Sequence, residues 1–327
     1  MPALGNVGFV VIGRNEGARL EACLRAVLAR SNQVIYVDSA STDGSEALAE
    51  GLGAKVVPLP DDGALTAARG RNAGLSELRD QWPECDLVQF LDGDCLLQPQ
   101  WLPAALDFLR DHSEVAVVCG RRFEAHPDAS VYNRMCDSEW NTPCGEAAAC
   151  GGDALIRRAA LDQVHGYREE LLAGEEPEMT ARMRAIGWKV WRIDAPMTEH
   201  DARIKSFGQW WRRTQRGGFG YAQVWSATAD LPKRLYGRQL ISAFAWAVII
   251  PILCLLAAIA TRQPLALLLL PTLYCAQGAR IAYGSPAERG RWARAGLTLL
   301  AKIPETIGAA RFALGDRRRQ VPEYKST

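Results

Sequence analysis

The sequence predicts an α/β domain built on a mainly parallel sheet flanked by helices, followed by a membrane-associated helical region. Three observations predict it. Continuous apolar runs of strand length recur at residues 8–12, 34–38, 55–59, 87–91, 115–119 and 189–193; such runs mark strands buried on both faces. Between the early runs, residues 16–30, 45–52 and 65–78 carry apolar side chains three and four apart, the spacing of helices. Finally, residues 240–260 form an apolar stretch free of charge, long enough to cross a bilayer.

In such sheets, ligands bind at the carboxyl ends of the strands, so the residues just after each strand carry the information about function. After the first comes Gly13-Arg14-Asn15-Glu16-Gly17. It is not GxGxxG, which disfavours a dinucleotide site, and the chain has no GxxxxGK[ST] phosphate loop. The second strand ends at Asp38, followed by a polar turn, Ser-Ala-Ser-Thr-Asp43-Gly44-Ser45, able to cap the next helix. Asp38 could accept a hydrogen bond from the imide N–H of a base, or merely cap a helix.

The fourth strand runs into Asp92-Gly93-Asp94. Two carboxylates one residue apart at the end of a buried strand suit a hard divalent cation, Mg2+ or Mn2+, with phosphate oxygens completing its shell. The same three residues also make an ordinary solvated turn. Further on, Glu175-Glu176-Pro177-Glu178 comes after a glycine and opens a helix expected over residues 178–186. Acids at a helix N-terminus are favoured by its dipole, while clustered carboxylates also raise one another's pKa, as a general base needs. His200 comes after the last strand as a candidate cation ligand or a buried core histidine.

The 327 residues carry 38 basic and 37 acidic side chains, but unevenly. Residues 1–230 hold 24 basic against 33 acidic, and residues 231–327 hold 14 against 4. A mildly acidic body with a basic, Leu-rich tail suggests attachment to an anionic membrane surface. Because the basic residues flank apolar runs, nucleic acid is not expected as a partner. Nine cysteines without a CxxC pair read as thiols in a reducing compartment. No signal-peptide pattern opens the chain, so the body is expected to stay cytoplasmic.

The domain boundary is expected near residue 230. Beyond it, two apolar segments within residues 240–279 are flanked by Lys233, Arg234 and Arg238 before and by Arg280, Arg289, Arg291 and Arg294 after. That pattern predicts a hairpin with both ends on the cytoplasmic face of the inner membrane. Residues 292–314 predict an amphipathic helix in the membrane plane, ending in a basic cluster, Asp316-Arg-Arg-Arg-Gln. Just before the hairpin, Trp210 and Trp211 suit an interfacial belt, and Arg212, Arg213 and Arg216 could hold a pyrophosphate or lipid phosphate.

In order along the chain stand Ile12-Gly-Arg-Asn-Glu16, Val37-Asp38-Ser-Ala-Ser-Thr-Asp43-Gly-Ser45 and Arg69-Gly-Arg-Asn72-Ala-Gly74. Leu91-Asp92-Gly-Asp94, Gly151-Gly152-Asp153 with Arg157, and Gly174-Glu-Glu176-Pro-Glu178 continue the series. This order resembles the family 2 glycosyltransferases over residues 5–220. The resemblance implies a GT-A fold and transfer of a sugar from a nucleotide-sugar donor. It implies a nucleotide pocket at Gly13, Asn15, Glu16 and Asp38, with Asp38 reading uracil, and donor contacts from Arg69, Asn72, Asp92, Gly93 and Asp94. Asp92 and Asp94 match the DXD pair that holds a cation, Mg2+ or Mn2+, with His200 a further ligand. Glu176 matches the general base, with Glu175 beside it, and Gly152 and Asp153 are expected to bind the acceptor or a phosphate.

Gln209-Trp-Trp-Arg212-Arg213 departs from the QxxRW motif of processive synthases at its last position. Transfer of one sugar, with inversion, to a hydroxyl of a lipid-linked or glycolipid acceptor is therefore expected, with membrane lipids as further partners. A polyprenyl-phosphate sugar transferase, a membrane-linked nucleotidyltransferase and a non-catalytic membrane scaffold are the alternatives. Loss of turnover with retained donor binding in Glu176→Gln would exclude the scaffold, which has no turnover to lose.

Overall fold

The computed structural model describes residues 7–60, 62–284 and 290–315. Arg289 and the basic cluster at Asp316 lie outside the described residues. The chain opens with β1 (Val7–Gly13), α1 (Ala18–Leu28), β2 (Val34–Asp38), α2 (Ser45–Leu52) and β3 (Lys55–Pro58). Next come α3 (Ala67–Gln81), β4 (Leu87–Asp92), β5 (Cys95–Leu97), α4 (Trp101–Asp111) and β6 (Val115–Glu124). Then come α5 (Val131–Trp140), β7 (Gly145–Glu146), β8 (Ala154–Arg157), α6 (Arg158–Gln163), α7 (Glu175–Ala185) and β9 (Lys189–His200). The C-terminal part holds α8 (Phe207–Ala227), α9 (Gly237–Phe244), α10 (Ile250–Thr261), α11 (Leu269–Tyr283), α12 (Arg291–Leu300) and α13 (Lys302–Ala313).

Two compact units result. The first contains the residues up to His126, Cys136–Ala202 and Thr228–Lys233; the second contains Pro127–Met135, Arg203–Ala227 and the chain from Arg234 onward. All six expected strands form in the first unit. The sheet order is β3-β2-β1-β4-β8-β6-β9-β5, with β7 paired to β9. From β3 to β4 every neighbour is parallel, and so are β6 and β9. β8 joins antiparallel to both β4 and β6, and β5 and β7 are antiparallel to β9. The sheet is therefore mixed beyond its parallel half. An unbroken apolar run records burial on two faces and says nothing of strand direction, and β5, β7 and β8 are too short to leave a periodic signal.

The parallel half brings the ends of β1, β2 and β4 to one edge, since Gly13 pairs with Asp38 and Ile12 with Asp92. Helix α3 lies close against β1 because of two glycines one turn apart. A Cβ on Gly74 would stand 2.4 Å from Val10 Cγ1, and one on Gly70 3.3 Å from Ile12 Cγ2. Fully buried Phe9, Tyr36, Leu75, Leu78, Phe90 and Trp101 form the middle of the core. Between β6 and β9 the register slips at Cys119/Arg121 and again at Arg121/Arg122. Such bulges re-aim side chains next to functional edges.

In the second unit, α8 and α13 meet backbone to backbone. A Cβ on Gly218 would fall 2.0 Å from Glu305 O, and one on Gly308 2.0 Å from Gln215 O. The segment expected as one amphipathic helix forms two, and the second, α13, buries Pro304, Glu305, Thr306 and Ala309 in this contact. Residues Gly237–Thr261 and Pro264–Tyr283 are long and apolar enough to cross a membrane, with mean hydropathies of 2.6 and 1.4. Their large side chains are exposed, Ile259 and Leu265 among them. Pro251 explains a local irregularity in the first. A π-turn at Ala245–Ile249 lets the Ile250 N–H bond Ala245 O. In that register Trp246 O would need an N–H from residue 251, which proline lacks; the Tyr274 hydroxyl donates to it instead.

Candidate active site

At the ligand edge, the loops after β1 and β2 are tied together. Asn15 N–H donates to Ser41 Oγ (2.9 Å), Thr42 N–H donates to Asn15 Oδ1 (2.7 Å), and Gly17 N–H donates to Asp43 Oδ2 (3.1 Å). Asn15 sits at φ +54°, a left-handed conformation that asparagine tolerates. Asp38 is fully buried, and both its oxygens are engaged within its own turn. Oδ1 accepts from the Tyr36 hydroxyl at 2.8 Å and Oδ2 from Ser41 N–H at 2.7 Å. Asp38 does not cap α2, whose N-cap is Gly44 with no side-chain cap, and orders its own turn instead. Burial, together with Asp38, raises the Tyr36 pKa and keeps its hydroxyl a donor. Glu16 is buried beside them, 2.5 Å from Arg19 Nη2.

Helix α3 begins where Thr66 Oγ1 accepts from Arg69 N–H (3.2 Å), a side-chain cap. Arg69 and Asn72, the expected donor contacts, are occupied by protein. Arg69 donates to Pro60 O and Ala64 O and pairs with Asp62 at 2.5 Å. Asn72 bridges the loop before α7, accepting from Tyr167 N–H (2.9 Å) and donating to Tyr167 O (2.8 Å) and Glu169 (2.9 Å). Arg71 instead points into the acidic edge. Two residues along a helix are about 200° apart, so Arg69 and Arg71 face opposite ways.

Arg71 is 2% exposed and serves three carboxylates. Nη1 lies 2.7 Å from Glu175 Oε1 and 3.0 Å from Glu176 Oε1, while Nη2 lies 3.1 Å from Asp92 Oδ1. Arg122, re-aimed at the bulge, reaches the other Asp92 oxygen at 3.3 Å and has its Nε 3.5 Å from Asp153 Oδ2. Burial works against both guanidinium charges, but the surrounding acids outweigh it and push both pKa values up. Asp92, expected beside Asp94 on a cation, is thus held between two arginines. Gly152 leaves room for that: a Cβ there would stand 2.4 Å from Arg71 Nη2 and 3.1 Å from Asp92 Oδ1. Asp153, buried, accepts from Asp92 N–H at 3.1 Å and from the Thr198 hydroxyl at 2.6 Å. Gly93 is fixed by its N–H on Ile12 O (2.7 Å), and Gly13 packs on the Tyr36 ring.

Asp94 takes a different direction from Asp92. Its Oδ2 lies 3.1 Å from His200 Nε2, and both residues are about 5% exposed. Two neighbouring ligands of an octahedral cation at about 2.1 Å are about 3.0 Å apart, so this pair fits a Mg2+- or Mn2+-sized ion. Among the described residues His200 Nδ1 has no hydrogen-bond partner, and Trp140 packs edge-on to the ring at 4.9 Å.

Helix α7 begins at Glu175 because Gly174, at φ +84°, turns the chain into it, and its dipole favours the three acids of its first turn. Glu178 is fully buried and pinned by Arg182 (2.8 Å) and Arg168 (3.1 Å). That ion pair sets the helix so that Glu175 and Glu176 face Arg71. Burial, then repulsion from Glu175, raises the Glu176 pKa to about 7, against the opposing pull of Arg71.

The structure therefore brings Asp92, Asp94, Gly152, Asp153, Glu175, Glu176 and His200 into one cluster. Gly13, Asn15, Glu16, Asp38 and Gly93 stand on the same strand-end edge. Arg212, Arg213 and Arg216 lie on α8, in the second unit. Arg71, Arg122 and Trp140 were not expected. Arg71 was legible: it lies three residues after Ala68 and precedes Leu75 and Leu78 by four and seven, on the buried face of α3. Arg122 depends on the bulge, which leaves no such mark.

Residues 9–164, from β1 through α6, match the family model described as Glycosyl transferase family 2. The protein is a glycosyltransferase, and its first unit has the GT-A-like sheet of that class. It resembles glycosyltransferase AglE of Haloferax volcanii, 23% identical over 247 residues, 72% of this chain and 79% of that one. Among solved structures it is similar in fold to the mannosyltransferase PcManGT of Pyrobaculum calidifontis, determined with GDP-Man and Mn2+. The TM-score is 0.66 at 18% identity, covering 95% of this chain and 87% of the other. S. aureus TarS 1–349, determined with UDP-GlcNAc, matches with a TM-score of 0.52 at 14% identity, over 95% and 92% of the two chains.

Proposed function

We propose that this glycosyltransferase moves one sugar from a nucleotide-sugar, a UDP-sugar, to a hydroxyl of a lipid-linked or glycolipid acceptor, with inversion. The observation that carries the reading is the Arg71 bridge, which holds Glu176 and Asp92 on one guanidinium at 3.0 and 3.1 Å. A carboxyl with its pKa near 7 is thereby set beside the strand-end aspartates where a donor diphosphate would lie. Glu176 takes the acceptor proton as the hydroxyl oxygen attacks the anomeric carbon from the face opposite the diphosphate. The new C–O bond forms as the bond to the nucleoside diphosphate breaks, so one displacement inverts the centre. Glu175 stays paired with Arg71 and keeps Glu176 basic by repulsion.

Asp94 and His200 would hold Mg2+ or Mn2+, which when bound stabilises the charge growing on the leaving diphosphate. Asp92 acts beside them by fixing Arg71 and Arg122 at the same edge. Asp38 orders the turn between β2 and α2 against the loop after β1, which shapes the nucleotide pocket. We further infer that Gly237–Thr261 and Pro264–Tyr283 anchor the chain as a hairpin, with Arg234, Arg238, Arg280 and Arg291 on the cytoplasmic side. That supports an acceptor presented at the membrane surface.

The test is titration of UDP and GDP into detergent-purified protein, with and without Mn2+, for the wild type and Asp94→Ala. The expected result is Mn2+-dependent UDP binding, weakened about 100-fold or more in Asp94→Ala, a loss of several kcal/mol of charge stabilisation. Binding of GDP in preference to UDP would overturn the uridine assignment. Binding of neither nucleotide by folded protein would overturn the donor site.

A further inference from the structure

The geometry points to a thiophilic divalent-cation site formed by Asp94, Cys95 and His200. Cys95 comes directly after the second aspartate and pairs with His200 across the β5–β9 ladder. Residues directly opposite in an antiparallel pair place their side chains on the same face, Cβ atoms about 5 Å apart. Here the carboxylate, thiol and imidazole ligand atoms all lie within 4.8 Å of one another, and Asp94 Oδ2 and His200 Nε2 are 3.1 Å apart. A tetrahedral zinc separates its ligand atoms by about 3.3–3.5 Å, so closing the triad needs only a small movement of Sγ. All three residues are buried, at 1% to 5% exposure.

A second group, Asp92, Cys95 and Asp153, has similar spacing. Its cation is already present: Arg122 reaches Asp92 at 3.3 Å, Asp153 at 3.5 Å and Cys95 Sγ at 3.1 Å. At the Asp94 group the guanidinium contact to the carboxylate is longer, Arg19 Nη1 standing 3.9 Å from Asp94 Oδ2. Mg2+ is a hard ion that prefers oxygen to a thiol. Zn2+, Co2+ or Cd2+ binds sulfur strongly and displaces the thiol proton to solvent. Two cation classes would then compete for Asp94 and His200: hard ions that use the oxygen and nitrogen alone, and soft ions that add Cys95. Zinc would capture the site without a nucleotide and exclude the cation used in transfer.

This rests on the assignment of Asp94 and His200 as cation ligands. The test is Co2+ titration of the full chain in detergent, followed by absorption, with Zn2+ added as competitor. The wild type is expected to show the visible bands of four-coordinate cobalt together with a sulfur-to-cobalt charge-transfer band in the near ultraviolet. Cys95→Ser and Cys95→Ala are expected to lose the charge-transfer band and to bind Zn2+ about 10- to 100-fold more weakly, the range seen when a metal's surroundings are perturbed. Asp94→Ala is expected to lose all cobalt bands. Visible bands without charge transfer in the wild type, or a charge-transfer band surviving in both Cys95 variants, would overturn the thiolate ligand while leaving Asp94 and His200 in place. No cobalt binding by folded wild type, or binding untouched by Asp94→Ala, would overturn both assignments.

Discussion

The strand ends at Asp38 and at Asp92–Asp94 look alike in sequence, each an apolar run closing on an acid, yet they are built differently. Asp38 is satisfied by partners two and three residues away, the Tyr36 hydroxyl and the Ser41 amide. Asp92 is satisfied by Arg71 from α3 and Arg122 from β6, and Asp94 by His200 from β9. The first turn is a local object that its own stretch of chain specifies. The second exists only when strands and helices far apart in sequence have assembled. Local order suits a pocket wall, whereas gathering distant charges produces the shifted pKa and opposed acids that chemistry requires.

The comparison can be broken most sharply at Glu176. Glu176→Gln is expected to lower kcat about 10²- to 10⁴-fold while UDP affinity is retained. In the wild type, kcat/KM should rise with pH to a plateau above about 7, because the base must be deprotonated. The same raised value means the folded chain keeps a proton that the unfolded chain releases above 4.5. This carboxyl's contribution to stability therefore falls as pH climbs from 4.5 through 7, and thermal unfolding of Glu176→Gln should lack that component.

Next in size is Arg71→Met, which strands Glu175, Glu176 and Asp92 without their shared cation. A loss of about 3–5 kcal/mol is expected in denaturant unfolding, largest above pH 7 where the acids are charged. A loss below 1 kcal/mol would mean that the cluster does not depend on Arg71. At the local turn, Asp38→Asn replaces one acceptor oxygen by a donor and should cost about 1–3 kcal/mol. If it cost as much as Arg71→Met, the distinction between the two strand ends would fail. The smallest change is Asn15→Gly, which keeps the left-handed backbone but removes the acceptor for Thr42 N–H. About 0.5–1.5 kcal/mol is expected, with weaker UDP binding as the loops separate.

The same division governs what could be read in advance. Six strands and the starts of the early helices were legible because burial on two faces and an apolar stripe each leave a period in the chain. β5, β7 and β8, of three, two and four residues, leave none. Glu176, Asp94 and His200 were legible as candidates, since an acid or histidine at a strand or helix end is visible locally. Arg69 was preferred to Arg71 within one motif, although helical phase would have distinguished them.

Residue order alone determined the strand and helix pattern, the apolar C-terminal helices and the acids at the ligand edge, because each depends on neighbours within a few positions. Only the tertiary structure decided that Asp92 belongs to two arginines, that Cys95 stands opposite His200, and that Asn72 and Arg69 hold loops. It also decided that α13 is buried on α8. Those outcomes depend on register, on a bulge and on glycines that let backbones touch. Electrostatic pairing and close packing act through space between residues up to about a hundred positions apart, as the Arg71–Glu175 separation of 104 illustrates.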